Sequence, residues 1–198
     1  MNEKFVNQFG FCEMYEWSLY PGDDNRFGRF VQFDKNKPEF VRIAGNDETP
    51  IIGVSSINYA AVSDNPNYWH NKYMFNEFGD IYMMKERLAV GAKQYDQLNE
   101  FSFIKTFPYE QFIPIDNPEF DKSKKYDKRS VRREWSIVTI KGKAIITDDG
   151  KCKPGEYCKP IFSDDYETAG KAQPANKNEE NSFYVIKRMS DTTIMIFI

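Results

Sequence analysis

The run Thr193-Ile194-Met195-Ile196-Phe197-Ile198 limits the fold more than any other stretch of the chain. Apart from Thr193 it offers no polar side chain to either face of an extended strand. At a sheet edge such a strand would set unpaired backbone groups beside bare hydrocarbon. It belongs at the centre of a sheet or in a subunit interface. It follows Phe183-Tyr184-Val185-Ile186-Lys187-Arg188 across Met189–Thr192, a spacing that predicts a terminal hairpin.

The rest of the chain is punctuated in the same way. An aromatic strand over Phe11–Leu19 leads into a turn at Tyr20–Asn25. Arg26–Phe33 is a second strand, closed by Asp34-Lys35-Asn36-Lys37-Pro38; Phe40–Ala44 and Ile51–Ser55 follow, parted by Gly45–Glu48. Trp135–Ile140 and Ala144–Thr147 flank Lys141-Gly142-Lys143, and Asp148-Asp149-Gly150 predicts a tight hairpin. Short runs with turn residues every ten or so positions predict a mainly β fold, a meander of short antiparallel strands with long loops. Residues 1–10 read as an N-terminal arm and residues 11–198 as a single β domain.

Four stretches fall outside this rhythm. Tyr59–Glu77 predicts an irregular aromatic loop. Residues 81–113 fit either a helix over Met84–Leu98 or a long β-hairpin bending near Gly91. Residues 116–133 carry seven Lys or Arg and predict an exposed, solvated loop. Ser163–Ser182 is polar and predicts a flexible loop.

Composition excludes several functions. With 17 Phe and 12 Tyr, the composition predicts a core built from rings rather than aliphatic side chains. A net charge of -3 argues against a nucleic-acid backbone as partner. No segment has the apolar length of a membrane span, and Glu3, Asn7 and Glu13 interrupt any secretory apolar region. Three cysteines, Cys12, Cys152 and Cys158, make an odd set, read as free thiols in a reducing compartment. Cys152 and Cys158 flank Pro154-Gly155, and whether they pair is open. With His70 as the one histidine, no zinc site is expected, and no cofactor.

The stretch with most chemistry is Phe9-Gly10-Phe11-Cys12-Glu13-Met14-Tyr15-Glu16-Trp17. Carboxylates among rings can be desolvated and hold their protons longer. The stretch is then an acid–base site, or a strand that buries its rings and leaves its acids in water.

Several segments in order carry a resemblance: EMYEW at 13–17, PGDDNRFGRFV at 21–31, IIGVSS at 51–56, WHNKYMFNEFG at 69–79, NPEFD at 117–121, REWSIVTIKGKAIITDDGKC at 133–152, GEYCKP at 155–160 and YVIKRMSDTTIMIFI at 184–198. Together they resemble the C-terminal autoproteolytic intramolecular chaperone domain of phage neck-appendage and tailspike proteins, a family of glutamic-type self-cleaving peptidases. The resemblance implies a homotrimer at a fibre tip, located on the virion after assembly in the host cytoplasm, with other virion or fibre proteins as partners. It implies that Glu13 is the catalytic acid and that the cleavage junction is Phe9 and Gly10. Where the family has a Ser and an Asp, these two positions offer neither hydroxyl nor carboxylate, and few residues precede them. No Gly-rich phosphate loop is present, so the nucleotide binding of some members is not carried over. The leading expectation is a stand-alone viral structural protein that keeps the fold without cleaving itself. The alternatives are an active self-cleaving chaperone using Glu13, and a glycan-binding cap whose Tyr68, Trp69 and Tyr73 stack on sugars.

Overall fold

A computed structural model of the chain describes residues 10–23, 26–45, 49–57, 59–64, 72–88, 93–95, 102–104, 109–123, 125 and 127–198, with residues 93–95, 102–104 and 109 described by their backbone alone. In chain order the strands are β1 (Phe11–Glu16), β2 (Phe30–Asp34), β3 (Lys37–Ile43), β4 (Ile51–Ser56), β5 (Ala61–Ser63), β6 (Met83–Leu88), β7 (Lys93–Tyr95) and β8 (Ser102–Ile104). They continue as β9 (Tyr109–Pro114), β10 (Trp135–Lys141), β11 (Lys143–Thr147), β12 (Tyr157–Pro160), β13 (Ala172–Ala175), β14 (Phe183–Arg188) and β15 (Thr193–Phe197). The described residues hold no α-helix, so the mainly β expectation stands; a single 3-10 turn spans Arg129–Val131. Among the described residues no helix is long and apolar enough to cross a membrane.

The strands fall into two compact units, one within residues 68–126 and one from the chain on either side. The larger unit holds two sheets, ordered β3-β2-β4-β10-β1-β5 and β11-β15-β14-β12-β13. Phe30, Ala44 and Val54 from the first sheet or its ends pack with Ala144, Ile146, Val185, Ile194 and Ile196 from the second in one buried cluster. The two sheets thus share a core. Phe30 stacks on Phe183 with ring centroids 5.0 Å apart, but among the described residues only Phe30 and Trp17 are buried rings and the remaining core is Val, Ile, Ala, Met and Cys, so the expectation of a ring-built core is corrected. Side chains alternate across a strand, so Val31 turns away from Phe30 and joins Trp17, Val41, Ile43, Val138 and Ala169 in a second cluster. The C-terminal strand β15 lies between β11 and β14, with Ile194 and Ile196 fully buried, in the central position its composition demands.

One corner ties distant parts of the chain together. β10 and β11 belong to different sheets but are parted only by Gly142, whose φ of +103° makes the bend. A Cβ on Gly142 would lie 2.9 Å from the Cα of Gly10. The Gly142 N–H donates to the Ile198 carbonyl at 3.1 Å, and the Ile198 N–H returns a bond of 2.8 Å.

In the smaller unit β6 pairs with β9 and β7 with β8. Leu88 opposes Tyr109, and Lys93 opposes Ile104. The two registers are continuous, so both pairs belong to one long hairpin. This favours the hairpin reading of 81–113 over the helix. Tyr95 pairs with Ser102, and Gly91, where the bend was expected, is outside the described residues. At the base, Tyr73 bridges to Asp116 and Phe75 to Ile81.

Other local expectations are corrected. Asp149-Gly150 does not turn β11 back on its neighbour in sequence: β11 pairs with β15, and β12 pairs with β13 and β14. Asp148 redirects the chain by accepting from the Cys152 N–H at 3.2 Å and from Arg188. The polar stretch 163–182 is structured, containing β13 and buried Ala169 and Ala172. Lys37 and Pro38 lie inside β3 rather than in the preceding turn; β3 is an edge strand, where a proline without an N–H costs no ladder bond. Residues 26–28 are bends, and β2 starts only at Phe30.

Candidate functional site

The first strand was the sequence's richest stretch, and alternation divides its chemistry between two faces. Cys12 and Met14 point inward and are buried, whereas Phe11 is exposed and Glu13 and Tyr15 are half-buried. β1 is hydrogen-bonded on both sides, antiparallel to β10 and parallel to β5.

Gly10 enters this strand under tight constraint. Its N–H donates to the Lys143 carbonyl at 3.0 Å, and its own carbonyl accepts from the Ala60 N–H at 3.3 Å. A Cβ here would lie 2.0 Å from the Lys141 carbonyl oxygen and 2.8 Å from Thr139 Cγ2. The position is filled by glycine because the neighbouring backbone occupies the space of a side chain. Phe9, the other junction residue, lies outside the described residues.

On the inner face the Cys12 thiol donates to the Gly10 carbonyl at 3.5 Å and lies 3.3 Å from Thr139 Oγ1, which is 2.7 Å from Ser56 Oγ. Burial raises the pKa of this thiol; the Thr139 hydrogen bond opposes the shift. Its environment disfavours the thiolate, so it is a poor nucleophile.

On the outer face Tyr15 donates its hydroxyl to Glu13 Oε2 at 2.9 Å, which fixes one carboxylate oxygen. Burial, then the Glu13 hydrogen bond and charge, then the Asp64 charge push the Tyr15 pKa up to about 12. Asp64, just beyond β5, has φ +53°, unusual for a residue other than glycine. It forms an ion pair with Arg129, whose Nη1 also donates to the Asp64 carbonyl at 2.8 Å. Arg129 is only 3% exposed and its guanidinium lies 3.8 Å from the centroid of the Trp135 ring. The basic stretch 116–133 is therefore not wholly a solvated loop: Arg129 leaves it and packs into the unit. No spacing signal marks Arg129 among seven basic residues; only the fold distinguishes it. Asp64 was equally silent in the sequence.

Trp17, which closes the motif, turns inward where β1 stops, short of Leu19. It is buried and donates its indole N–H to Ser136 Oγ at 3.0 Å. Of the rings proposed to stack on a glycan, Tyr68 and Trp69 lie outside the described residues, as does His70. Tyr73 is half-buried, with Lys72 Nζ 4.8 Å from its ring centroid. Asp148, Asp149 and Cys152 bring potential metal-ligand atoms within 4.8 Å of one another. Asp148, however, gives both oxygens to Arg188, at 3.2 and 2.7 Å, and one also to the Cys152 N–H, so it serves the fold.

Comparison with known proteins agrees with the resemblance seen in the sequence. The preneck appendage protein of Bacillus phage PZA is 31% identical over 130 residues, covering 65% of this chain and 13% of that protein. The pre-neck appendage protein of Bacillus phage phi29 is 30% identical over 129 residues, with the same coverage. The chain thus spans only a small part of the length of these relatives. Among solved structures, pre-mature bacteriophage phi29 gene product 12 superposes with a TM-score of 0.64 at 22% identity, over 97% of this chain and 22% of that one. The C-terminal fragment of the same gene product gives 0.60 at 22% identity, over 95% and 99%. These structures share the fold. The model of the Peptidase_G2 family, the IMC autoproteolytic cleavage domain, matches residues 3–191, and the chain belongs to that family.

Proposed function

We propose that the chain is a viral structural module, carried on the virion or a fibre, that keeps the chaperone fold and does not cut itself between Phe9 and Gly10. The packing of Gly10 carries this reading. The family resemblance sets an Asp at position 10, and a side chain there meets the Lys141 carbonyl oxygen at 2.0 Å. The cleavage machinery thus lacks its carboxylate where the surrounding backbone has closed over the space. Relatives named as phage pre-neck appendage proteins support the virion setting.

The module acts as a homotrimer in this reading. A two-stranded ribbon is marginal on its own in water, and the hairpin from Met83 to Pro114 leaves Met83, Met84 and Phe112 exposed. Further copies, or other virion or fibre proteins, would cover these side chains. Light scattering is expected to give three times the 23.3 kDa monomer mass. A clean monomer at micromolar concentration would remove the trimer.

Intact mass tests the central claim. The protein is expected to remain at 23.3 kDa through prolonged incubation, and loss of residues 1–9 would overturn it. The second reading, an active self-cleaving chaperone, draws on the Tyr15 hydroxyl that holds Glu13 in place. There Glu13 protonates the leaving amine or activates water, and Glu13→Gln abolishes cleavage without changing the oligomer.

A further inference from the structure

A cavity of about 270 Å³ opens in the larger unit where the β2–β3 pair meets Ser18, Leu19 and the loop 163–169. Arg42, opposite Gln32 in the β2–β3 ladder, lines it. Its Nη2 lies 2.9 Å from where a Cβ on Gly45 would stand, so the glycine makes room for the guanidinium. Gly45 is itself fixed, its N–H donating to Oε1 of the buried Gln32 at 3.2 Å. Among the described residues the Arg42 guanidinium has no hydrogen-bond or ion-pair partner. Asp34 also lines the cavity, and its Oδ1 accepts from the Asn36 and Lys37 N–H groups at 2.8 and 3.3 Å. A hydrogen bond from Ser18 first, then these two bonds and the Arg42 charge, hold its carboxyl below the usual range against its desolvation. Arg42 and Asp34 thus feel each other's charge without forming an ion pair. The loop 163–169 is built in advance. Buried Arg29 donates to the Glu167 and Ala169 carbonyls at 3.1 and 3.0 Å, and Ser163 Oγ accepts from the Asp165 N–H at 3.0 Å. This loop brings the exposed Tyr166 ring and the exposed Asp164 carboxylate to the cavity.

The charges decide what fits. An anion would be drawn to Arg42 but repelled by Asp34 and Asp164, and a cation would be repelled by Arg42. A hydroxyl accepts from a guanidinium and donates to a carboxylate at the same time. Neighbouring hydroxyls on one ring match the forked donors of arginine with the acceptors beside it. The volume is just below the roughly 300 Å³ at which ordinary small-molecule pockets begin, which suits a single ring. We propose that this cavity binds one pyranose unit of a neutral carbohydrate. Arg42 donates to two adjacent hydroxyl oxygens, Asp34 and Asp164 accept from the same hydroxyls, and Tyr166 and Leu19 cover the apolar face of the ring. The site uses none of Tyr68, Trp69 and Tyr73, and it is independent of the virion reading and of Glu13.

The isotope-labelled full chain is titrated with D-glucose and, separately, with D-galactose, and its amide shifts are followed by NMR. At least one of the two sugars is expected to saturate the shifts at Arg42, Gly45 and Tyr166, with a Kd on the order of 1–10 mM, the strength of a single-ring ligand. Arg42→Gln should weaken binding about tenfold or more. Tyr166→Ala and Asp164→Asn change exposed side chains and leave the fold in place; each should weaken binding about threefold to tenfold. Sodium acetate and ammonium chloride, titrated in the same way, should leave the three amides unmoved. No saturable shift with either sugar at about ten times the expected Kd would overturn the proposal. So would unchanged affinity in any of the three variants, or acetate or ammonium saturating the same amides at the concentration the sugar needs.

Discussion

Gly10→Ala probes the packing on which the non-cleaving reading depends. The backbone at Gly10 is not in the left-handed region, so alanine meets no conformational penalty and the effect is steric. The added carbon would sit 2.0 Å from the Lys141 oxygen and 2.9 Å from its carbonyl carbon. Relief to ordinary contact needs β1 and β10 to part by more than an ångström at that point. The bond from the Gly10 N–H to Lys143, and the one its carbonyl accepts from Ala60, would be stretched beyond use. Each buried backbone group left without a partner costs about 1–3 kcal/mol. Because Gly10 lies at the start of β1, fraying of that end caps the loss at about 2–4 kcal/mol. For a domain of this size the cost corresponds to a fall in Tm of about 5–12 °C. Gly22→Ala is the control: Gly22 has φ +85° but nothing within 4 Å, so only the backbone penalty, about 1–2 kcal/mol, applies. Thermal and urea melts of both variants are the assay. A Gly10→Ala protein melting within a degree or so of the parent, or higher than Gly22→Ala, would show that the junction has room for a side chain. The structural case against cleavage would then fail.

Further outcomes follow from other contacts. Arg188→Ala leaves the buried Asp148 carboxylate without its bidentate partner and should cost about 2–4 kcal/mol in urea melts; Asp148→Asn in the same chain should recover part of the loss, and no recovery would mean the pair is not the reason. Tyr15 keeps its proton longer folded than unfolded, so stability is intact below about pH 10 and falls as pH rises toward about 12. Tyr15→Phe should flatten that slope in alkaline urea melts, and an unchanged slope would assign it to another group. Arg129→Lys keeps the charge but loses the planar stack on Trp135 and should cost about 1–2 kcal/mol; a neutral result would mean that the stack contributes nothing.

The strands that form the core were legible because their composition leaves few options. β15 announces its central place by having no polar face, and β10 and β14 by dense apolar and aromatic content. What sequence could not supply was pairing between distant segments. Asp149-Gly150 carries the local chemistry of a hairpin, but Asp148 is claimed by Arg188, forty residues later, and the strands part. Ser163–Ser182 looks flexible because its residues are small and polar. Its order comes from backbone: Gly170, at φ +68°, accepts from the Phe30 N–H at 2.8 Å and fits a space where a Cβ would lie 2.8 Å from the Phe30 oxygen. At the site, Glu13 was found through its motif, which names the residue but not its environment. Gly10 was read as a lost carboxylate, whereas its meaning is the nearness of Lys141, 131 positions away. Asp64 and Arg129 carry no local pattern and become visible only when β5 and the 3-10 turn bring them together.

The corner at Gly142 also sets a schedule for the nascent chain. Of the three residues, Gly10 leaves the ribosome first, Gly142 next and Ile198 last, yet they are joined there by backbone bonds and close contact. At roughly 5–20 residues per second, Gly10 waits on the order of 10–40 s for Ile198 to be made. Until residue 198 emerges, β11 and β14 also lack the strand that separates them in the finished sheet. The larger unit therefore closes after translation has passed this point, and an incomplete chain is exposed along the sheet that β15 will fill.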